Sequence, residues 1–467
     1  MNPQGRNSGQ PGGLGNRRSG PLRGIEAALE VWREVRRGRF ASEVLRRVSS
    51  RVSEKDRPLA ATLAYAVLRR ESLWKELVGR FLKTGSSGVS TAVRDALVLG
   101  AAGALELRTF EPRVLVNALV EWTKVRDERG ARIVNAVLRR IVADGPDVLR
   151  SIETSGAFSD LALRTGTPLW VARSWEHSFG RNEGRELMEL QASPVSLALR
   201  VSPGVDRDAL VAELAEDAVR SWVSPDMTCS IRLEGTALPT VLPGFDDGRI
   251  TPQSEASMLI PMAFLDNKTR GPILDMCAGR GGKTGQLAQL FPDASVEGWD
   301  LSSGRIKAAE REMKRLGLAS RISLVVGDAV ELSPSREPRR IMLDAPCSGS
   351  GTWRRHPEGK WRLNQKDLGQ YAATQLQLLR RALDLISPGG LVLYSTCSLF
   401  REENEQVVAA VMAERRAVVE LEPPFSVVSQ CRRGRPWGYY IWPGTPWSDG
   451  FYLALLTVTD KGGQNLP

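Results

Sequence analysis

Two cysteines stand where a thiol could do chemistry. Cys347 lies in Leu343-Asp-Ala-Pro-Cys-Ser-Gly-Ser-Gly351 and Cys397 in Tyr394-Ser-Thr-Cys-Ser398, each just beyond a short apolar run that reads as a strand. A doubly wound sheet carries its sites at such strand ends. An inert buried cysteine is the ordinary alternative. Both thiols, however, sit among small polar residues rather than in apolar runs. If the two strands are neighbours, a spacing of roughly 5 Å puts both thiols over one pocket. A thiolate adding to carbon 6 of a cytosine makes the ring enamine-like, and carbon 5 can then attack an electrophilic methyl group. The carbon 5 proton must afterwards leave and the thiol be eliminated. Asp344 is placed to hydrogen-bond the amidine edge of such a ring. This chemistry needs neither metal nor histidine, and the chain has only His177 and His356. The five cysteines (Cys229, Cys277, Cys347, Cys397 and Cys431) form no C-x-x-C pair, so no metal site is expected.

A site for the methyl donor is expected upstream. Asp275-Met-Cys-Ala-Gly-Arg-Gly-Gly-Lys-Thr284 joins a strand to a helix, with three glycines in four positions. Glycines let a ligand approach the backbone, and a helix N-terminus presents free amides. A phosphate-binding P-loop would need glycine where Cys277 stands, so that reading fails. Asp300 closes the next strand, 18 residues after Gly282, where a carboxylate can accept from both ribose hydroxyls. Asp328 closes the third strand, placed to meet an adenine amino group. A lone strand-terminal acid is often only a helix N-cap. Three strand ends converging on one sheet edge favour an adenosine-type ligand, and S-adenosylmethionine fits better than a dinucleotide because no G-x-G-x-x-G occurs here.

The elements that must position these residues come from periodicity. Ile273–Cys277, Ser295–Trp299, Ile322–Val326, Arg340–Leu343 and Leu391–Ser395 alternate with helical segments such as Lys283–Leu290, Ser303–Leu316 and Leu368–Ile386. That alternation predicts an α/β fold with a doubly wound, Rossmann-like parallel sheet over residues 251–460. Residues 24–145 show helical spacing throughout and read as an all-α bundle carrying the pairs Arg36-Arg37, Arg46-Arg47, Arg69-Arg70 and Arg139-Arg140. Residues 150–250 are mixed and predict a small α/β element, with a strand at Val195–Val201 and a helix at Asp206–Leu214. Residues 1–23, with six glycines, four arginines and no acid, read as a basic disordered tail.

The motifs resemble a known family. Asp344-Ala-Pro-Cys-Ser-Gly-Ser-Gly, Arg354-Arg-His-Pro-Glu-Gly-Lys-Trp-Arg362, Tyr394-Ser-Thr-Cys-Ser and Glu402-Glu-Asn-Glu405 resemble the RsmB/Sun family of bacterial RNA cytosine-C5 methyltransferases acting on 16S ribosomal RNA. Thr251-Pro-Gln-Ser-Glu-Ala-Ser257 resembles the segment that precedes that family's cofactor loop, and Asp449-Gly-Phe-Tyr452 its last strand. Val116-Asn-Ala and Val134-Asn-Ala-Val-Leu-Arg-Arg140 are similar to the NusB-like RNA-binding domain such proteins carry at the N-terminus. The resemblance implies Cys397 as nucleophile, Cys347 as the thiol assisting product release, and Asp344 between base and cofactor. It implies that Cys277, Ala278, Gly279, Arg280, Gly281, Gly282 and Lys283, with Asp300, Asp328 and Asp344, hold S-adenosylmethionine. The family commonly has Ala-Pro-Gly-Gly-Lys where this chain has Gly279-Arg280-Gly-Gly-Lys, so Arg280 is expected to point away. The usual acid after Gln253 is replaced by Ser254.

Two alternatives remain. A cytosine-C5 methyltransferase acting on DNA or tRNA would use the same chemistry, the DNA class with Cys347 as nucleophile. A non-catalytic RNA-binding assembly factor would need the helical part alone.

Arg354, Arg355, His356, Lys360, Trp361 and Arg362 follow the Cys347 turn directly and are expected to meet RNA, cations on phosphates and an aromatic face on a base. Arg432-Arg-Gly-Arg435 would extend that surface. The net charge of +10 agrees with an anionic partner. With no apolar signal core and no long apolar run, a cytoplasmic protein without a membrane partner is expected.

Overall fold

The computed structural model describes residues 21–82, 88–107, 111–235, 239–265, 268–429, 431–445 and 447–459. Most of the expected tail, and the polar break at 84–87, lie outside them. The chain forms two compact units that meet in sequence at Ser155 and Gly156. Among the described residues, no helix is long and apolar enough to cross a membrane.

The first unit is all-α. Its first helix, Pro21–Arg36, starts inside the expected tail, with proline at the first turn where no amide donor is needed. The expected boundary at residue 145 falls inside one long helix, Glu128–Thr154, which carries Pro146 without ending. The helix Thr91–Glu106 is the most buried element, capped by Ser90, whose side chain accepts from the Val93 amide. Gly100 and Gly103 let its neighbours close in. A Cβ at Gly100 would lie 2.6 Å from Leu138 and 3.0 Å from Leu119. The first arginine pair divides its partners. Arg36 joins Arg33 on the buried Asp95, at 2.9 and 2.6 Å, while Arg37 meets Glu34 at the surface.

The second unit opens with the helices Phe158–Arg164, Leu169–Phe179 and Arg181–Ala192, where the sequence pattern indicated no regular element. A four-stranded antiparallel sheet comes next, built from β1 (Ala198–Val201), β2 (Ser221–Val223), β3 (Ser230–Leu233) and β4 (Ile250–Pro252), in the order β2-β3-β1-β4. The expected helix is Arg207–Glu216, with Asp206 as its cap. This small sheet belongs to the same compact unit as the cofactor-loop region and is not a separate body. Arg200 of β1 is buried and donates to the Gly282 carbonyl at 2.8 Å and to Gln253 at 2.7 Å.

The main sheet has nine strands: β5 (Ile273–Asp275), β6 (Val296–Asp300), β7 (Ile322–Val326), β8 (Arg340–Asp344), β9 (Leu391–Thr396), β10 (Val418–Leu421), β11 (Cys431–Arg433), β12 (Tyr439–Ile441) and β13 (Phe451–Val458). Their order is β11-β12-β13-β9-β8-β5-β6-β7, with β10 also paired to β13. The five expected strands form the parallel half. The remaining pairs are antiparallel, so the sheet is mixed rather than parallel throughout. The chain leaves β5 towards β7 and returns on the other side at β8, which makes the carboxyl end of β5 a switch point. β8 and β9 are nearly wholly buried, as strands covered on both faces must be.

Gly100→Val is expected to destabilise the helical unit by about 1–3 kcal/mol through overpacking against Leu138 and Leu119. Urea denaturation of the full chain, followed by helical circular dichroism, measures it.

Candidate active site

The two cysteines come together. Residue 343 pairs with 394 and 344 with 395 across the parallel β8–β9 ladder, so both strands end at the same level. Cys347 Sγ and Cys397 Sγ lie 3.4 Å apart in hydrogen-bond contact. The turn between them is held by backbone: the Gly351 amide donates to the Cys397 carbonyl, and the Gly450 amide to the Gly351 carbonyl, both at 2.9 Å. Only glycine fits there, since a Cβ at Gly351 would lie 2.0 Å from the Gly450 carbonyl oxygen. The hydrogen bond to Cys397, and then burial, push the Cys347 thiol well above the usual range, and the nearby Glu403 charge adds to it. Cys347 is therefore held as the thiol.

Beside the thiols lies a cavity of about 420 Å³, within the range of small-molecule sites. Cys277, Ala278, Gly279, Arg280, Gly282, Lys283 and Asp344 line it; Gly281, Asp300 and Asp328 do not. Gly279 has φ +58° and an open space where a Cβ would stand; Gly282 borders the cavity with nothing within 4 Å of a Cβ. Gly281, at φ +87°, instead packs its α-carbon against Ala309 and Met313 of the next helix. Arg280 is exposed but stands on the cavity rim, so it does not turn fully away. Asp300 is buried and its carboxylate accepts from the Gly279 and Ser302 amides at 3.0 and 2.8 Å, holding the glycine loop from below. Asp328 is exposed at the end of β7, where it accepts from the Val330 amide at 2.9 Å.

Lys283 and Asp344 form an ion pair at 2.8 Å, and the Ser395 hydroxyl donates to the other Asp344 oxygen at 3.1 Å. Burial alone pulls the Lys283 ammonium down, but the Asp344 carboxylate outweighs it and the net shift is upward. Burial drives Asp275 up to about 7, against the pull of the Thr284 hydroxyl, which donates to it at 2.7 Å. Burial also raises the Cys277 thiol, with Asp275 next in effect, so that cysteine is a lining group and no nucleophile. Cys229 and Cys431 are likewise held up by burial, Cys431 to about 12.

The expected RNA-facing segment splits. Arg355 and His356 face the cavity, Arg355 bonded to Asp449 at 3.0 Å. Trp361 and Arg362 are half-buried. Arg354 and Lys360 correct the expectation: both are buried, at 3% and 1% exposure, and therefore not phosphate contacts at an open surface. Arg354 donates instead to the carbonyls of Thr445 and Pro194 at 2.7 and 3.0 Å. Trp353 is core as well, packed near Trp175 and Phe400. Arg432 and Arg433 are engaged with Glu186 and Glu420. Sequence reasoning missed Gln253, Ser257, Asp449 and Phe451 as lining residues, and Glu403 behind the thiols. Their motifs were visible; their direction was not.

Asp275 makes stability fall with pH. Its folded form keeps a proton up to about 7 whereas an ordinary carboxyl loses it near 3.8, so its contribution is full below about pH 4 and lost as pH rises through 7. Asp275→Asn is expected to gain roughly a few kcal/mol on the wild type between pH 5 and pH 8. Paired urea titrations of the ligand-free proteins at the two pH values check this; a constant gap would contradict it.

Comparison with known proteins agrees with this geometry. Residues 262–457 match the family described as 16S rRNA methyltransferase RsmB/F, and residues 24–143 match the NusB family. The chain is 29% identical over 432 residues to ribosomal RNA small subunit methyltransferase B of Klebsiella pneumoniae subsp. pneumoniae, covering 92% of this chain and 96% of the relative. The crystal structure of PH0851 matches with a TM-score of 0.75 at 22% identity, covering 95% of this chain and all of that one (100%). A methyltransferase homolog protein from Pyrococcus horikoshii matches with a TM-score of 0.53 at 26% identity, over 65% of this chain and 99% of its own. Both family matches fall in chain order on the two units: residues 24–143 are similar to the NusB family and residues 262–457 to the RsmB/F methyltransferases.

Proposed function

We propose that this protein methylates carbon 5 of a cytosine in small-subunit ribosomal RNA, using S-adenosylmethionine and a covalent adduct between Cys397 and carbon 6. The observation that carries the reading is the thiol pair at 3.4 Å, next to the Asp344–Lys283 ion pair and the glycine-lined cavity. The relatives' name, ribosomal RNA small subunit methyltransferase B, supports the substrate class.

The cavity residues fit an adenosine-type methyl donor. Gly279 and Gly282 leave open space along the loop, and the helix Gly282–Leu290 begins at its edge. Asp300 ends β6 and Asp328 follows the adjacent β7, both outside the residues that line the cavity. When bound, S-adenosylmethionine supplies an electrophilic methyl group. The chain's own residues do the rest. Cys397 adds to carbon 6, which raises electron density at carbon 5. Lys283 orients Asp344, and the carboxylate accepts from the amidine edge of the base. After transfer, water takes up the carbon 5 proton, the C–H electron pair re-forms the carbon 5–carbon 6 double bond, and the Cys397–carbon 6 bond breaks with its pair returning to sulfur, which Cys347 assists from 3.4 Å away. The target cytosine must be unpaired or flipped out to reach the thiols. Arg355 and His356 at the cavity edge are the members of the basic segment placed to meet that nucleotide.

Cys397→Ala is expected to lose methyl transfer by several orders of magnitude. Cys347→Ala is expected to accumulate a covalent enzyme–RNA species that runs slowly on a denaturing gel. Both are measured with radiolabelled donor and unmodified 16S ribosomal RNA, and bisulfite sequencing of a deletion strain locates the cytosine. An active Cys397→Ala beside an inactive Cys347→Ala would reverse the assignment.

A further inference from the structure

Glu403 touches neither the cavity nor a surface; it is fully buried in the short turn Arg401–Glu403 behind the thiols. Its partners are notable for where they sit in the chain. One carboxylate oxygen accepts from the Ser348 amide at 2.8 Å and from Gln375 Nε2 at 3.0 Å. The other accepts from the Ser398 hydroxyl at 2.5 Å and from the Ser348 hydroxyl. Ser348 comes directly after Cys347, and Ser398 directly after Cys397. One carboxylate thus holds both thiol-bearing turns. Its flanks complete the bracket. Gln375 also donates to the carbonyl of Pro346, just before Cys347, at 2.9 Å. Asn404 accepts from the hydroxyl of Thr396, just before Cys397, at 2.6 Å, and donates to the Ser398 carbonyl at 3.0 Å.

A neutral side chain of the same shape could pack here without the several kcal/mol that burying a charge costs. None of these donors is a cation, so the carboxylate is not there to neutralise one. We propose that Glu403 is the positioning residue of the thiol pair: by tethering the residue after each cysteine to one carboxylate, it fixes the separation and facing of the two sulfurs. This rests on the reading of Cys397 as nucleophile. The charge adds a bias. The groups that face Cys347 are Cys397, Glu403, Tyr371 of the helix Asp367–Leu385, and Tyr394 of β9, while the cation Lys283 acts on Cys397. Burial raises the Glu403 carboxyl, and its negative charge disfavours the thiolate at Cys347.

Site-resolved alkylation of the full chain by iodoacetamide across pH, read by peptide mass spectrometry, tests this without RNA. In Glu403→Gln the Cys347 profile is expected to move to lower pH. Methylation kcat is expected to fall by on the order of 10–100-fold, with KM for S-adenosylmethionine within about twofold. The double variant Ser348→Ala/Ser398→Ala keeps the charge and removes two tethers. Its kcat is expected to fall similarly while the Cys347 profile stays in place, and it carries the test if Glu403→Gln does not fold. A Glu403→Gln protein with unmoved profile and unchanged kcat overturns the proposal, as does a loss in kcat with an unmoved profile and a matching rise in KM. A shifted profile in a protein that methylates no cytosine would sink the catalytic reading and leave the tether standing.

Discussion

Parallel pairing of β8 with β9, in the register that sets Asp344 opposite Ser395, is the constraint on which the active centre depends. The loops leaving these two strands start at one level and can share partners only because of it. A slip of one residue would turn every side chain of one strand to the opposite face and carry its cysteine away from the other. The register is protected by burial. Both strands are covered on both sides, and Ile341, Leu343, Val392 and Tyr394 belong to the main core. Packing energy spread over the domain is thereby converted into a sulfur–sulfur distance.

Electrostatics divide the site into two halves. On the cofactor side, Asp344 and Asp275 act on Lys283, while Arg280, Arg355 and Asp449 border the same cavity, so acids and cations there are balanced in number. On the thiol side the charge is Glu403, which acts on Cys347 and on the buried Tyr394. Asp344 sits on the border, bonded to Lys283 on one side and to Ser395 of the thiol-bearing strand on the other.

Much of this was legible in the chain because periodicity and strand-end chemistry are local. The strands β5 to β9 fall where the apolar runs are, and the glycine loop, Asp300, Asp344 and both cysteines sit at their carboxyl ends. What escaped is what depends on distant partners. Lys283 and Asp344 are 61 residues apart, and Ser348 and Glu403 are 55 apart. No pattern of residue types says that they meet. The strands β10 to β12 have only three or four residues and are stabilised by β13, which arrives later. The basic segment after Cys347 shows the same limit in reverse. Composition cannot tell Arg354, buried against carbonyls, from Arg355 one residue on, which borders the cavity.

The last strand bears on when the enzyme can first work. β13 pairs with β9 and with β10 and β12, and Gly450 at its threshold latches the turn that carries Cys347. The cofactor half of the sheet, β5 to β8, is complete in sequence more than a hundred residues earlier, between Ile273 and Asp344. During synthesis the strands β5 to β8 can therefore order while the turn of Cys347 still lacks its clasp, and the cavity gains its last lining residues, Asp449 and Phe451, only with the final strand.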